Sequence, residues 1–153
     1  MKKQVTFSAI IAPDQSFVYQ TVLSVKTTDI NDGNHLAAIA IPPILQQVRM
    51  QFLKTHGYSE VNIAGIGWIM ADLYVHYESE SFLADQLLIR LGIETLTAHS
   101  AILVYHLHNQ TQKKSMAIAK EKLIFFDYQK RKVAKTPTFF LRIATPKNVT
   151  LPF

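Results

Sequence analysis

The polar residues between positions 27 and 35 are the ones whose types and spacing could do chemistry. Asp29 follows a run rich in β-branched and aromatic residues, Asp32-Gly33 has the composition of a turn, and Asn34 and His35 come next. A carboxylate and an imidazole are the groups that general acid–base chemistry uses, and an unperturbed imidazole has a pKa of about 6.5. The segment is therefore a candidate site at the junction between a strand and a helix.

Each of these residues also has a purely structural interpretation. Asp29 could shape the corner as an Asx-turn residue. Asn34 could cap the helix that follows through its side-chain oxygen. His35 could be a histidine packed into the corner. The residues alone leave both interpretations open.

Other arrangements with chemical potential are weaker. His106 and His108 share one face of a strand and could begin a metal site, but no third ligand is evident nearby. Gly65-Ile66-Gly67 lacks the third glycine of a nucleotide loop. The chain contains no cysteine, which excludes disulfides, thiolate metal ligands and a cysteine nucleophile.

Size and composition are those of one globular domain spanning residues 1–153. The chain is 48% hydrophobic and 18% charged, an apolar balance that suggests a second subunit covers part of its surface. The net charge is +5, and its only dense cluster lies at residues 130–135, where a solvated loop is the plain interpretation. No apolar stretch reaches the length of a membrane span. Lys2 and Lys3 before a short apolar run suggest a signal peptide only faintly, and we expect a cytoplasmic protein.

The hydrophobic pattern predicts a strand, a helix and four further strands. Residues 1–15 are expected to form a leader or an edge segment, and residues 138–153 a C-terminal tail. The predicted strands cover residues 16–28, 67–78, 86–97, 100–109 and 115–127, and the predicted helix covers residues 36–55.

The helix carries an apolar stripe at three- and four-residue spacing, and Gly57 stands where a helix would end. Pro42-Pro43 interrupts it, so either the regular helix begins near Pro42 or it is kinked. The short connections between the strands favour antiparallel pairing. We therefore predict an α+β fold, in which one long helix packs on a curved antiparallel sheet of about five strands.

This order of elements resembles that of the hotdog-fold acyl-CoA thioesterases, the 4-hydroxybenzoyl-CoA thioesterase-like superfamily. The resemblance covers about residues 17–137. It depends on four further stretches in the right order: Thr-Asp-Ile-Asn-Asp-Gly-Asn-His at 28–35, Val-Arg-Met-Gln-Phe-Leu at 48–53, Gly-Ile-Gly-Trp-Ile-Met-Ala-Asp at 65–72, and Phe-Phe-Asp at 125–127 with Arg-Lys-Val at 131–133.

The resemblance implies hydrolysis of an acyl-CoA thioester to a free acid and CoA. Asp29 would be the catalytic carboxylate, acting as base or nucleophile, and Asn34 and His35 would orient water or substrate. A backbone N–H of Gly67 or Trp68, often contributed by the partner subunit in this family, would stabilise the oxyanion. Arg131 and Lys132 would bind the phosphates of coenzyme A. No cofactor is implied beyond the CoA of the substrate, and the expected assembly is a homodimer or a dimer of dimers.

The chain departs from the family pattern in its helix. Residues 37–43 carry no polar side chain where many members have Asn or Asp, and Gln46-Gln47 stands where many have Glu. The apolar stretch could line a more hydrophobic acyl pocket. The departures also leave a second interpretation, a non-catalytic hotdog protein that binds acyl thioesters or serves as an assembly subunit.

Overall fold

A single long helix lies against an antiparallel sheet. The structure is a computed structural model that describes residues 11–12 and 14–144. Its strands are β1 (Phe17–Ser24), β2 (Gly67–Tyr77), β3 (Gln86–Leu96), β4 (Ser100–Asn109), β5 (Lys114–Asp127) and β6 (Lys132–Val133), and its helices are α1 (Ile41–Thr55) and α2 (Thr138–Ile143). The predicted α+β hotdog fold is confirmed, and the strand boundaries agree with the sequence pattern except that β1 is shorter than residues 16–28.

The sheet has the order β1-β3-β4-β5-β2, with the two-residue β6 added to β5. Every pair in the order is antiparallel, and each has a register shift, as between Met70 and Asp72 in β2. Such bulges bend strands and increase their twist, so the sheet curves around the helix. Ser24, Gln86, Asn109, Lys114 and Tyr77 mark one end of the sheet, which we call the corner end. Gly67, paired with Phe126, marks the far end.

The regular helix begins at Ile41, so the first of the two alternatives for Pro42-Pro43 is correct and the kinked helix is not. The prolines occupy the first turn, where their missing N–H groups have no intrahelical acceptor. Upstream, Ala38–Ala40 forms a 3₁₀ turn instead of the predicted helix. The face of α1 on the sheet is buried and consists mainly of Ile41, Ile44, Leu45, Val48, Phe52 and Leu53.

The C-terminus of α1 is closed by Gly57, as predicted. Gly57 has φ +77° and donates its N–H to the Lys54 carbonyl, while the Tyr58 N–H bonds to the Leu53 carbonyl. This is a Schellman motif, which requires the left-handed conformation at the glycine.

We expect Gly57→Ala to lower the free energy of unfolding by about 1 kcal/mol, because a Cβ disfavours positive φ. Ala64 provides a matched control, since it is a non-glycine residue with φ +55°. Ala64→Gly should shift the urea midpoint in the opposite direction. Equal midpoints for Gly57→Ala and the wild type would contradict the role of the glycine.

One ionic network crosses the interior between α1 and the sheet. Arg49 Nη1 lies 2.6 Å from Glu121 Oε2, and Arg49 Nε lies 2.8 Å from Glu60 Oε1. The Tyr105 hydroxyl donates to the other Glu121 oxygen. Burial raises the pKa of Glu121, more than the Arg49 guanidinium and the Tyr105 hydroxyl lower it. Burial alone would lower the pKa of Arg49, but the Glu121 and Glu60 carboxylates raise it overall.

The segment after β6 differs from the expected tail over its described part. Residues Thr138–Ile143 form α2, and the side chains of Phe139 and Phe140 are buried against the core. Phe140 lies 5.2 Å from Phe125 and 5.4 Å from Trp68, ring centroid to ring centroid. Residues 1–10, 13 and 145–153 of the expected leader and tail lie outside the described residues.

The strand β2 lies at one edge of the sheet and exposes large apolar side chains. Ile69, Met70, Tyr74 and Tyr77 are each 40–50% exposed. A free edge with apolar side chains is a surface that proteins normally cover. Among the described residues, none of the helices has the length and apolarity needed to cross a membrane.

Candidate active site

The corner that carries Asp29 is built by short local contacts at the corner end of the sheet. After β1, the Val25 N–H donates to the Asp85 carbonyl, and Thr27–Asp29 forms a 3₁₀ turn. Ile30 then pairs with Leu36 as an isolated bridge, and the Ala37 N–H returns to the Asp29 carbonyl at 2.8 Å. These bonds close the polar segment into a loop that leads directly to α1.

The two oxygens of the Asp29 carboxylate have different surroundings. Oδ2 accepts the backbone N–H of Lys26 at 2.9 Å, which is the structural role that the residue type allowed. Among the described residues, none donates a hydrogen bond to Oδ1. The half-buried side chain borders two cavities, of about 630 and 210 Å³. Asp29 therefore shapes the corner and also presents an oxygen that is available for chemistry.

The larger of these cavities has two different walls. Residues 28–33 supply a polar wall that includes the second carboxylate, Asp32. Ala37, Ile39, Ala40 and Pro43 supply an apolar wall. Such a site suits a ligand with a polar reacting group attached to an apolar body.

Asn34 and His35 lie in the same loop. Asn34 is exposed and has φ +61°, and its N–H donates to the Asn31 carbonyl, so the hypothesis that it caps α1 is wrong. Helical geometry starts only after residue 37, and the left-handed residue completes a turn instead. His35 Nδ1 lies 3.1 Å from the Leu36 carbonyl, and its ring packs over Gly33. Roles for both in orienting substrate stay predictions.

Gly67 and Trp68 lie at the far end of the sheet. A Cβ on Gly67 would stand 2.5 Å from the Tyr128 ring and 2.7 Å from the Glu60 carbonyl, so close packing alone requires the glycine. Trp68 is buried, and its backbone N–H donates to the Glu60 carbonyl at 3.0 Å. That bond uses the Trp68 N–H, and Gly67 is buried and paired with Phe126 of β5. The oxyanion role of either residue stays a prediction.

The basic segment lies next to the same far end. Arg131 is exposed, with φ +55°, and its guanidinium carbon stands 5.4 Å from the centre of the Phe126 ring. Lys132 is exposed in β6, opposite Asp127. Stacking on an aromatic ring holds the Arg131 side chain in place. The structure therefore positions these two cations at the same end of the sheet as Gly67, on the other side of β5.

Within one chain the structure does not bring Asp29 and Gly67 together. Tyr77, the last residue of β2, donates its hydroxyl to the Ala38 carbonyl at 2.7 Å, so β2 reaches the corner with its C-terminal end. Gly67 is the first of the eleven residues in the strand. At about 3.3 Å per residue the two ends of β2 are roughly 33 Å apart.

Sequence reasoning missed the roles of Tyr77 and Pro43. The Tyr77 hydroxyl anchors the turn before α1, and partial burial raises the pKa of this group. Pro43 appeared only as a helix breaker, yet it lines both cavities beside Asp29. No local signal in the sequence marks such contacts. Among the residues that the structure describes, no three His, Asp or Glu side chains group together as a metal site would need, including around His106 and His108.

One long helix packed on a curved antiparallel sheet is the architecture of the hotdog fold. The family model of the thioesterase-like superfamily matches residues 25–143. The chain belongs to this superfamily. Comparison with curated proteins finds none with significant similarity to the chain.

Solved structures agree with the fold. The chain is similar to the 1,4-dihydroxy-2-naphthoyl-CoA thioesterase of Synechocystis, with 16% identity and a TM-score of 0.73 over 82% of this chain and 93% of that one. It is similar to a gentisyl-coenzyme A thioesterase, with 21% identity and a TM-score of 0.69 over 78% and 97% of the two chains. A Staphylococcus aureus protein in complex with CoA has 17% identity and a TM-score of 0.75, over 91% and 89%.

Proposed function

We propose that the protein hydrolyses an acyl-CoA thioester to a free acid and CoA, with Asp29 as the catalytic carboxylate. The observation that carries this proposal is that no residue in the described part of the chain donates to Oδ1 of Asp29, which borders a cavity with one polar and one apolar wall. Membership of a thioesterase superfamily supports the reaction class.

In the proposed reaction, Asp29 acts at the carbonyl carbon of the thioester. It either takes a proton from water as the water adds, or adds itself to give a mixed anhydride that water then opens. The C–S bond breaks, and the thiolate takes up a proton to become free CoA. The oxyanion that forms on the way needs hydrogen-bond donors.

The first turn of α1 is a poor source of those donors. Pro42 and Pro43 have no N–H, and the Ile41 N–H already bonds to the Ala38 carbonyl. We therefore place the donor in another element, at the start of β2, where Gly67 and Trp68 are the two candidates.

A homodimer with two-fold symmetry would bring that donor to the corner. If the free edges of two β2 strands pair antiparallel, each Tyr77 lies beside the Gly67 end of the partner strand. The Tyr77 hydroxyl contacts Ala38, three residues before the helix. The free edge of β2 and its exposed apolar side chains support this assembly. Two such dimers could associate further.

We expect Met70→Lys to convert the dimer to a monomer and to lower activity in parallel. A lysine on an edge strand disfavours pairing with another strand. Val22→Lys is the matched control, because Val22 is 46% exposed on β1 at the other edge and Met70 is 50% exposed. Light scattering after size-exclusion chromatography gives the mass. A dimeric Met70→Lys variant would contradict pairing through β2.

The same pairing would place Arg131 and Lys132 near the partner's corner. Both residues lie at the far end of the sheet, across β5 from Gly67. Two exposed cations beside a thioester site suit the phosphates of coenzyme A. Neighbours named as CoA thioesterases, and one solved with CoA, support CoA as the carrier. No separate cofactor is part of the proposal, and a cytoplasmic location stays a prediction.

A second candidate is a non-catalytic protein that binds acyl thioesters or serves as an assembly subunit. Gln46 and Gln47, in place of the family's glutamate, favour it. Thiol release measured with a panel of acyl-CoA esters separates the two candidates. Turnover of any member supports the enzyme, whereas saturable binding without thiol release across the panel supports the second candidate.

A further inference from the structure

We propose that the outward face of α1 forms the acyl-binding groove and that it selects linear aliphatic acyl chains over compact aromatic groups. This inference names the substrate class of the site described above and therefore rests on the proposed function. It depends on a third cavity, of about 740 Å³, which begins at Pro43 and extends along α1 beyond the corner.

The three cavities share residues and so form one continuous surface. Pro43 lines all three of them. Gln47 lines both the small corner cavity and the groove, and Asp29 lines both corner cavities. A ligand whose carbonyl carbon lies at Asp29 can therefore continue past Pro43 and along the helix.

The groove is long and mainly apolar. Pro43, Gln47, Met50 and Lys54 follow one another at intervals of three or four residues on one side of the helix. At 1.5 Å per residue, the eleven steps from Pro43 to Lys54 span about 17 Å. Apolar atoms make up most of the lining, and the opposite wall is formed by residues 58–61. This shape matches an extended hydrocarbon chain better than a single ring.

The groove has exposed apolar side chains that a bound ligand would remove from water. Met50 is 52% exposed and Val61 is 60% exposed. Both are apolar and face the same groove. The one carboxylate in the lining, Glu60, already binds Arg49 and the Trp68 indole through Oε1. An aliphatic chain can cover these apolar side chains, and it has no polar groups that need hydrogen-bond partners.

The test uses the wild-type protein and thiol release from butyryl-, octanoyl-, dodecanoyl- and benzoyl-CoA. We expect kcat/KM to rise with chain length from butyryl to dodecanoyl and to be lowest for benzoyl. Each additional buried methylene should contribute up to about fourfold, the factor that corresponds to its transfer from water.

Met50→Trp places a bulky ring in the middle of the groove. It should lower the dodecanoyl-to-butyryl ratio of kcat/KM by roughly tenfold to fiftyfold, the loss expected when two or three methylenes are no longer buried. Hydrolysis of butyryl-CoA should fall less than that of dodecanoyl-CoA, because a short chain ends before Met50. Val22→Trp is the matched control and should leave the whole chain-length profile unchanged.

The outcomes separate this inference from the function on which it rests. Hydrolysis of benzoyl-CoA in preference to every aliphatic ester overturns the groove assignment and leaves the thioesterase proposal standing. A wild-type profile in Met50→Trp also overturns it, and if that variant becomes monomeric, the groove is a subunit interface. Absence of thiol release from all four esters instead overturns the proposed function itself.

Discussion

Asp29→Asn should lower the rate of thioester hydrolysis by about 10²- to 10⁴-fold or more while leaving the fold intact. This range is the usual contribution of one positioned general base, and loss of a nucleophile would cost more. The substitution preserves structure because the asparagine side-chain oxygen can still accept the Lys26 N–H that Asp29 Oδ2 accepts at 2.9 Å. Initial rates of thiol release and the thermal midpoint are the two measurements.

Asp32→Asn is the control for this experiment. Asp32 is a carboxylate in the same loop and lines the same cavity, so its neutralisation changes the local charge equally. We expect its activity to stay within a few-fold of wild type. Asp29→Ala should lose activity and also about 1 kcal/mol of stability, because it removes the acceptor as well. Full activity in Asp29→Asn would refute the catalytic assignment.

Arg49→Met should lower the free energy of unfolding by about 3–5 kcal/mol, the largest loss of stability that we predict for a single substitution. The substitution leaves the Glu121 carboxylate buried without its cationic partner. Glu121 is 1% exposed, and among the residues that the structure describes its only cationic contact is the Arg49 guanidinium at 2.6 Å. An uncompensated buried carboxylate is far more costly than a lost surface pair. Urea denaturation followed by fluorescence gives the value.

Lys120→Met provides the contrast, since the Lys120–Glu94 pair is about one-third exposed at both side chains. Its loss should cost less than about 1 kcal/mol. Combining Arg49→Met with Glu121→Gln should recover part of the stability, because the buried charge is gone. Similar losses for Arg49→Met and Lys120→Met would contradict the importance of the buried network.

The network also predicts a pH dependence. The folded-state pKa of Glu121 is raised above its ordinary value of 4.5. The stabilising contribution of this group is therefore fully present below pH 4.5 and is lost as the pH rises through the raised value. Glu121→Gln should remove that loss, so its free energy of unfolding should fall less than that of wild type above pH 4.5.

The fold could be predicted because each helix and strand has a local signal in the sequence. The strands alternate or carry β-branched runs, and Gly57 ends the helix by the conformation that only glycine adopts readily. The start of α1 was ambiguous because Pro42-Pro43 permits either a kink or a first turn. Tertiary contacts settle it, since Ile41, Ile44 and Leu45 are all buried on the sheet.

The site was only partly predictable, for a physical reason. The position of Asp29 at the corner could be predicted because it depends on local chain geometry, and its catalytic role stays a prediction. The buried partner of Arg49 could not be identified, since Glu121 is 72 residues away and a charge in a strand normally indicates a solvated face. Trp68 has the type of a binding residue, but its ring packs beside Phe125 and Phe140.

The two prolines that open α1 have a consequence for how the domain tolerates change. Because neither can donate to a carbonyl four residues earlier, the helix cannot wind further back into residues 38–39. An insertion or deletion upstream must then be absorbed by the loop, and the alignment of helix and sheet stays constant. The polar corner could thus vary in length and composition over evolution without disturbing the hydrophobic core beneath it.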